Sequence, residues 1–156
     1  MSDPALRPAT LMLPPAPFLA AVAGGWWLEH EVFALPLDFG NATRPLAWSL
    51  IGAGLALLIW TLAVFVRRRT TVNPYAGAST LVTGGPFRFS RNPIYLGDFL
   101  LRGGAALWLA SLWPLLFAPL LWALIRYTVI RHEEAHLEAK FGDAWRAYAA
   151  RVRRWL

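Results

Sequence analysis

The residues best suited to chemistry are concentrated in one stretch, Thr83–Gly97, with the sequence TGGPFRFSRNPIYLG. Its glycines and prolines predict sharp turns of the backbone. Arg88 and Arg91 supply guanidinium groups, which can bind a carboxylate or phosphate through two parallel hydrogen bonds. Asn92 and Tyr95 add neutral polar groups beside them. Because hydrophobic segments flank the stretch, it indicates a small-ligand site at a membrane surface. The alternative is that both arginines only set the topology and contact lipid.

A second group of chemically useful residues, His132–His136, matches the pattern H-E-x-x-H. On a helix this pattern places two histidines on one face, with Glu133 as the general base of a zinc-dependent hydrolase. Such a site needs a third protein ligand, and no histidine follows His136. Another interpretation is that these residues are surface charges on an exposed helix. We favour a third, in which Glu133 and Glu134 complete the pocket begun by the first stretch, and we expect no bound metal.

Helical spacing connects further polar residues to the first stretch. Pro93 is expected in the first turn of a helix, where proline is well tolerated. Asn92, Tyr95, Asp98 and Arg102 then fall near one face of that helix. Asp98 and Arg102 are four residues apart and can form an ion pair. The pair is either a structural group near the membrane interface or part of the polar lining of a cofactor cavity.

Composition indicates a membrane protein of one domain. The chain has 156 residues, of which 57% are hydrophobic, and a mean hydropathy of +0.43, more apolar than ordinary soluble domains. Cysteine is absent, which excludes disulfides and thiolate chemistry. The net charge is +6, and 14 of the 15 basic residues are arginine. These arginines flank hydrophobic segments, so we expect the lipid bilayer as a partner and no nucleic acid, for which no binding motif is present. The sequence does not indicate an oligomeric state.

Three hydrophobic segments predict four membrane spans, because roughly 20 residues cross the hydrocarbon core. The first two spans are Phe18–Leu37 and Pro45–Val66, the latter without a charged residue. Ile94–Ile130 would be about 55 Å long as one helix, so we expect it to form a hairpin of two spans that turns near Ala110–Pro114. A single span over Gly103–Ile125 is the alternative.

Two features of the first spans are notable. Glu29, His30 and Glu31 lie near the end of the first span and are either at the level of the lipid headgroups or a functional polar cluster. Gly52 and Gly54 give the second span a small-residue surface that would let another helix approach closely.

Charge sets the expected orientation. Arg67–Arg69 follow the second span directly, so this end is predicted to be cytoplasmic, and with four spans both termini are cytoplasmic too. Apolar residues recur at helical spacing within Arg131–Leu156, which predicts a cytoplasmic amphipathic helix. The predicted fold is therefore an all-α polytopic integral membrane protein. It forms a single domain over 1–156, with two spans in 1–66 and a cofactor-binding core in 67–156.

The chain resembles the integral-membrane isoprenylcysteine carboxyl methyltransferase family, whose superfamily includes phospholipid N-methyltransferases. The resemblance rests on Thr70–Pro74, Leu81–Gly97 and Arg131–Glu134. The tail element around Phe141–Tyr148 is similar to the family's F-G-x-x-Y-x-x-Y, with tryptophan for the first tyrosine. The family pattern R-H-P-x-Y followed by E-E is present from residue 91 onward, with Asn92 at the histidine position. The match extends from about Arg67 to the C-terminus.

The resemblance implies S-adenosylmethionine as methyl donor and a lipophilic or small amphipathic acceptor. That acceptor could be an isoprenoid thioether carboxylate, an amino lipid or a thiol. It also implies a set of cofactor-binding residues: Arg88, Arg91, Asn92, Pro93, Tyr95, Glu133 and Glu134. Of these, Arg91 and Glu134 are expected to be catalytic, with a glutamate on the donor's ammonium group and an arginine on its carboxylate. A bacterial inner membrane is the expected location. The alternatives to a methyltransferase are the zinc-dependent membrane hydrolase and a non-catalytic membrane module that keeps the fold.

Overall fold

The computed structural model describes residues 15–69 and 80–156, and the regular secondary structure of these residues is helical. The Thr70–Pro74 part of the motif lies outside the described residues. So does most of Met1–Pro17, which was expected to be an irregular lead-in; its last three residues instead begin the first helix. The α-helices are α1 (Pro15–Glu31), α2 (Thr43–Arg67), α3 (Pro93–Trp108), α4 (Trp113–Leu116), α5 (Ala118–Ile125), α6 (Arg131–Phe141) and α7 (Asp143–Arg151). Short 3-10 turns occupy Gly40–Ala42 and Gly85–Arg88, and a π-helical turn, Arg126–Ile130, joins α5 to α6.

Two helices of the described chain are long and apolar enough to cross a membrane, by length and composition. They run over Gly40–Arg67 and Trp113–Phe141. The first contains the predicted span Pro45–Val66, which is confirmed as one uninterrupted helix. α1 ends at Glu31, six residues before the predicted end of the first span, and has 17 residues. α3 has 16 residues, so both are shorter than the roughly 20 residues of a typical span. The count of four spans therefore stays a prediction.

The helix is interrupted where the hairpin was expected to turn. α3 ends at Trp108, and α4 starts at Trp113. Between them Ala110 adopts a left-handed backbone with φ of 51°, a conformation that is costly for residues other than glycine. Because the helix stops here, the alternative of one continuous span over Gly103–Ile125 is wrong.

The described residues divide into two compact units. The site unit consists of the described residues of Ile59–Pro93 and Ala123–Leu156, and the second unit of those up to Leu58 together with Ile94–Trp122. Each unit combines segments that are distant in sequence. The predicted division at residue 66 into a two-span part and a core stays a prediction, as does the single domain.

In the second unit, small residues let α2 and α3 approach closely, as predicted for Gly54. A Cβ atom on Gly54 would lie 2.9 Å from the carbonyl oxygen of Gly97, and one on Gly104 would lie 2.6 Å from Ile51. Gly52, by contrast, has open space around its Cα. The small-residue surface of α2 is therefore centred on Gly54.

Glu29 connects the end of α1 to the break after α3. Both carboxylate oxygens accept hydrogen bonds from the backbone N–H of Leu35, at 3.1 and 3.0 Å, and one also accepts the hydroxyl of Ser111 at 2.7 Å. The backbone N–H of Leu112 donates to the carbonyl of Leu35 at 2.8 Å. The two irregular segments are thus joined by a main-chain hydrogen bond and by the Glu29 carboxylate, which accepts from both of them.

The predicted ion pair in α3 is present. Arg102 Nη2 lies 2.8 Å from Asp98 Oδ2, and Arg102 is fully buried. The rings of Phe18 and Phe99 lie 5.7 and 5.9 Å from its guanidinium carbon. Arg102 is therefore a paired structural charge within the second unit.

The predicted C-terminal amphipathic helix is divided in two. Gly142, with φ of 51°, separates α6 from α7, because a left-handed residue cannot continue a helix. The predicted apolar stripe nevertheless packs as a group, in a cluster that includes Leu137, Phe141, Trp145, Tyr148 and Val152. It packs on Phe87, Val64 and Phe65 of the same unit. The stripe therefore buries its apolar residues within the protein.

Candidate functional site

The candidate site lies in the site unit, and its foundation is the turn Gly85–Arg88. Gly85 has φ of +62°, and a Cβ atom there would lie 2.8 Å from Val64 Cγ2. Only glycine meets both constraints without strain. The turn buries Phe87 against Trp145 and Tyr148, and the Tyr148 hydroxyl donates to the carbonyl of Phe87 at 2.8 Å. Burial raises the pKa of Tyr148 to about 12. The turn is thereby fixed to α7.

Arg91, Glu134 and Arg154 form the central network of the site. Arg91 Nη1 lies 3.4 Å from Glu134 Oε1. Arg154 donates to both oxygens of Glu134, from Nε at 2.9 Å and from Nη2 at 2.6 Å. These hydrogen bonds raise the pKa of Arg154 above its usual value. The ion pair joins the loop before α3 to α6, the two segments that were expected to form one pocket.

The Arg91 guanidinium is partly enclosed by the protein. Its guanidinium carbon lies 5.6 Å from the centre of the Trp145 ring, within the range of a cation–π contact. Its Nε is buried and has no hydrogen-bond partner, which is costly for a donor. The side chain as a whole remains 15% exposed, so part of the guanidinium group is accessible.

Asn92 has a structural partner. Its side chain is buried, and Nδ2 donates to the carbonyl of Arg154 at 3.0 Å. The hydroxyl of Ser90 donates to the same carbonyl at 3.2 Å, and the backbone N–H of Arg91 donates to the carbonyl of Arg153 at 3.0 Å. The loop before α3 is therefore fastened to the C-terminal segment. The expected role of Asn92 in cofactor binding stays a prediction.

The remaining predicted site residues have different surroundings. Glu133 is half-buried and forms no ion pair or hydrogen bond with the described part of the chain. Arg88 ends the 3-10 turn with an exposed side chain. Pro93 is buried in the first turn of α3, as predicted. Tyr95 lies in the same turn and is half-buried, but belongs to the second unit. The structure therefore brings Arg91, Asn92 and Glu134 into one network.

An open groove of about 560 Å³ adjoins this network. Arg91, Glu134 and Trp145 line it, as do residues that sequence reasoning did not single out: Arg131, Ala135, Glu138, Arg146, Ala149, Ala150 and Arg154. Arg146 is engaged by Asp143 at 2.6 Å and by Glu138 at 3.4 Å. The basic residues near the C-terminus were visible in the sequence, but only as topology-setting charge.

The H-E-x-x-H pattern does not form a metal centre in the described chain. No group of three histidine, cysteine, aspartate or glutamate side chains that could hold a metal occurs among residues 15–69 and 80–156. His132 is exposed, whereas both ring nitrogens of His136 are buried without a hydrogen-bond partner. The zinc-dependent hydrolase therefore has no support.

Side chains of both charges line the groove: the basic Arg91, Arg131, Arg146 and Arg154, and the acidic Glu134 and Glu138. Glu133, the neighbour of Glu134, is not among the residues that line it.

Comparison with known families identifies the chain. The model of the phospholipid methyltransferase family matches residues 43–144, well over half of the sequence. The matched region begins with α2 and contains the turn at Gly85–Arg88, Arg91 and Glu134. No curated protein and no solved structure matches the chain significantly. With its two helices suited to crossing a membrane, this chain belongs to the phospholipid methyltransferase family, whose members are methyltransferases that act on membrane lipids.

Proposed function

We propose that this protein transfers a methyl group from S-adenosylmethionine to a lipophilic or small amphipathic acceptor at the cytoplasmic face of a membrane. The observation that carries the proposal is the Arg91–Glu134–Arg154 network beside an open groove, of which Arg91 and Glu134 lie within the family match. Its residue types are suited to the two charges at the amino-acid end of this donor.

The fit to the donor can be judged group by group. The donor carries an ammonium, a carboxylate and a positively charged sulfonium. Arg91 lines the groove with a side chain that is 15% exposed, and its guanidinium can bind a carboxylate through charge-assisted hydrogen bonds. Glu133 has no ion pair within the described residues and is the neighbour of Glu134, which lines the groove, so we assign the ammonium to it. With this assignment the residues fit the donor.

The two glutamates have different roles in this proposal. Glu134 is occupied by Arg91 and Arg154, so it holds Arg91 in place, and Arg91 and Glu134 form the centre of the donor site. Glu133 is the better candidate for the ammonium because no arginine neutralises it. When bound, S-adenosylmethionine supplies a methyl group activated by the sulfonium. The protein then contributes mainly by positioning donor and acceptor, which can lower a barrier by several kcal/mol.

The acceptor is proposed to enter from the bilayer, and the water-soluble donor from the cytoplasm. Transfer to a carboxylate or thiolate annihilates charge, whereas an amine acceptor must also lose a proton to a general base. The described residues of the site unit carry 12 basic and 4 acidic side chains, and those of the second unit carry 2 and 4. A basic site unit favours the cytoplasmic side. We accordingly propose cytoplasmic termini and a bacterial inner membrane.

Calorimetry of the full chain in detergent with S-adenosylhomocysteine tests donor binding. We expect the wild type to bind and Arg91→Ala and Glu133→Ala to bind at least tenfold more weakly, because each loses a charged contact of more than about 1.4 kcal/mol. Arg151→Ala is the matched control, since the Arg151 side chain is exposed and donates only to the carbonyl of Ala147 within its own helix. Absence of binding by the wild type would refute the methyltransferase proposal. Equal binding by all variants would refute only the residue assignment.

The acceptor class follows from a second experiment on the same protein. Purified enzyme and methyl-labelled donor are incubated with a membrane extract, and labelled products are separated by their stability to base. A carboxyl methyl ester releases its label as methanol in mild base, whereas N-methyl and S-methyl products retain it. A reaction without labelled product from any of the three acceptor classes would contradict the proposed substrate range.

A further inference from the structure

The C-terminal segment beyond α7 lies outside the residues matched by the family, 43–144, yet it is built into the candidate site. The carbonyl of Arg154 accepts hydrogen bonds from Ser90 Oγ and Asn92 Nδ2, at 3.2 and 3.0 Å. The carbonyl of Arg153 accepts one from the backbone N–H of Arg91 at 3.0 Å. Three successive residues of the loop before α3 are therefore bound to two successive carbonyls of this segment.

The same segment supplies the side chain that fixes Glu134. Arg154 uses Nε and Nη2 to contact both carboxylate oxygens, a two-point geometry that sets the plane of the carboxylate as well as its position. Arg91 Nη1 lies 3.4 Å from Oε1, which is longer than either contact of Glu134 to Arg154. We take Arg154 to be the residue that sets the orientation of Glu134.

We propose that Arg154 is a positioning residue for the donor site. It holds Glu134 in the orientation in which that carboxylate pairs with Arg91 Nη1, and thereby keeps the Arg91 guanidinium in place at the groove. This inference rests on the proposed donor site but assigns a role to a residue and a segment beyond the family match. Arg154 acts through Glu134, so its effect on donor binding depends on Glu134 being present.

That dependence distinguishes positioning from direct contact with the donor. A residue that contacts the donor itself would lose binding energy whether or not Glu134 is intact, and the two losses would add. A residue that acts through Glu134 has nothing left to position once Glu134 is replaced. The two losses are then strongly non-additive, as expected for residues in one hydrogen-bonded network.

The experiment is a double-mutant cycle on the full chain in detergent, with the dissociation constant for S-adenosylhomocysteine as the readout and thermal unfolding measured in parallel. The variants are Arg154→Gln, Glu134→Gln and the combination of both. We expect Arg154→Gln to weaken binding about tenfold, as for loss of a charge-assisted contact. The double variant should bind no more weakly than Glu134→Gln alone. Arg153→Gln is the control, because its side chain is exposed while its carbonyl remains available to Arg91.

Arg154→Lys is a second variant. It keeps the charge and the main-chain hydrogen bonds but loses the two-point contact of the guanidinium, so it should fold even if Arg154→Gln does not. Its affinity should lie between those of wild type and Arg154→Gln. Wild-type affinity in Arg154→Lys and Arg154→Gln would overturn the inference, as would additive losses in the cycle. A wild type that fails to bind overturns the proposed function and this inference together, whereas a wild type that binds with unaffected Arg154 variants overturns this inference alone.

Discussion

Replacing Tyr148 by phenylalanine removes one hydroxyl and leaves the ring. That hydroxyl is buried and donates to the carbonyl of Phe87 at 2.8 Å. It is the direct link between α7 and the turn that leads to Arg91. Because the ring stays packed against Phe87 and Trp145, the change isolates the hydrogen bond from the hydrophobic contacts.

The magnitude follows from the two groups involved. A neutral hydrogen bond contributes about 1 kcal/mol net, and a buried acceptor left without its donor adds roughly 1–3 kcal/mol. A destabilisation of about 2 kcal/mol corresponds to a fall in Tm of roughly 4–8 °C for a chain of this size. We expect Tyr148→Phe to show this fall in detergent and to retain the apolar cluster.

High pH should reproduce the same loss. The phenol has a pKa of about 12 in the folded protein against 10.0 for a free phenol. Because the folded-state pKa is raised, the folded state retains the proton more strongly than the unfolded state. The stabilisation is therefore complete below pH 10 and is lost between pH 10 and 12. The wild type should lose stability over that interval by more than Tyr148→Phe does.

Thermal unfolding from pH 8 to 12 is the assay, with Tyr127→Phe as the control, because Tyr127 is exposed. Absorbance at the phenolate band should show one tyrosine of the four ionising later than the others. Equal Tm values for wild type and Tyr148→Phe at pH 8, or equal pH dependence of the two proteins, would refute the reasoning.

Three other substitutions test contacts within one unit or the other, each by thermal unfolding in detergent. Gly85→Ala should cost about 1–3 kcal/mol, since φ is +62° and its Cβ would lie 2.8 Å from Val64. The control Gly84→Ala should be nearly neutral, because its Cβ would meet only Arg68 Nη2 at 3.9 Å. Equal effects of the two substitutions would contradict this account. Gly54→Ala should destabilise because its Cβ would lie 2.9 Å from the carbonyl of Gly97, whereas Gly52→Ala has open space; a greater loss in Gly52→Ala would argue against the α2–α3 contact. Asp98→Asn should cost about 3–5 kcal/mol by leaving Arg102 buried without a counter-charge. Replacing both residues, with Arg102→Met and Asp98→Leu, should restore much of the lost free energy of unfolding. A stable Asp98→Asn variant would mean that Arg102 has another anionic partner.

Features of the fold that depend on a single segment were predictable from local sequence patterns. α2 was predictable because Pro45–Val66 has no charged residue, and a helix is the structure that satisfies its backbone in a membrane. The break near Ala110 was predictable because Ile94–Ile130 is too long for one span. The Asp98–Arg102 pair was predictable because four-residue spacing places both side chains on one helix face.

Contacts between distant segments were not predictable in the same way. Glu29 and Ser111 are 82 residues apart, and Asn92 and the carbonyl of Arg154 are 62 apart. The acceptor in the second case is a main-chain carbonyl, which is the same in every residue type and leaves no signal in the sequence. The division between α6 and α7 was missed for a local reason, since Gly142 was interpreted as part of a continuous helical stripe.

Asn92 shows how the structure changes the interpretation of the family motif. The related pattern R-H-P-x-Y has histidine at this position, and a departure there could suggest a lost catalytic group. In this protein the position is buried, and its side chain donates a hydrogen bond to the carbonyl of Arg154. A neutral imidazole also carries one N–H donor, so either residue can fasten the loop to a main-chain carbonyl. The chemical requirement at this position is then a buried donor, and asparagine meets it without titrating. The charged groups of the proposed donor site are then Arg91 and the glutamates of α6.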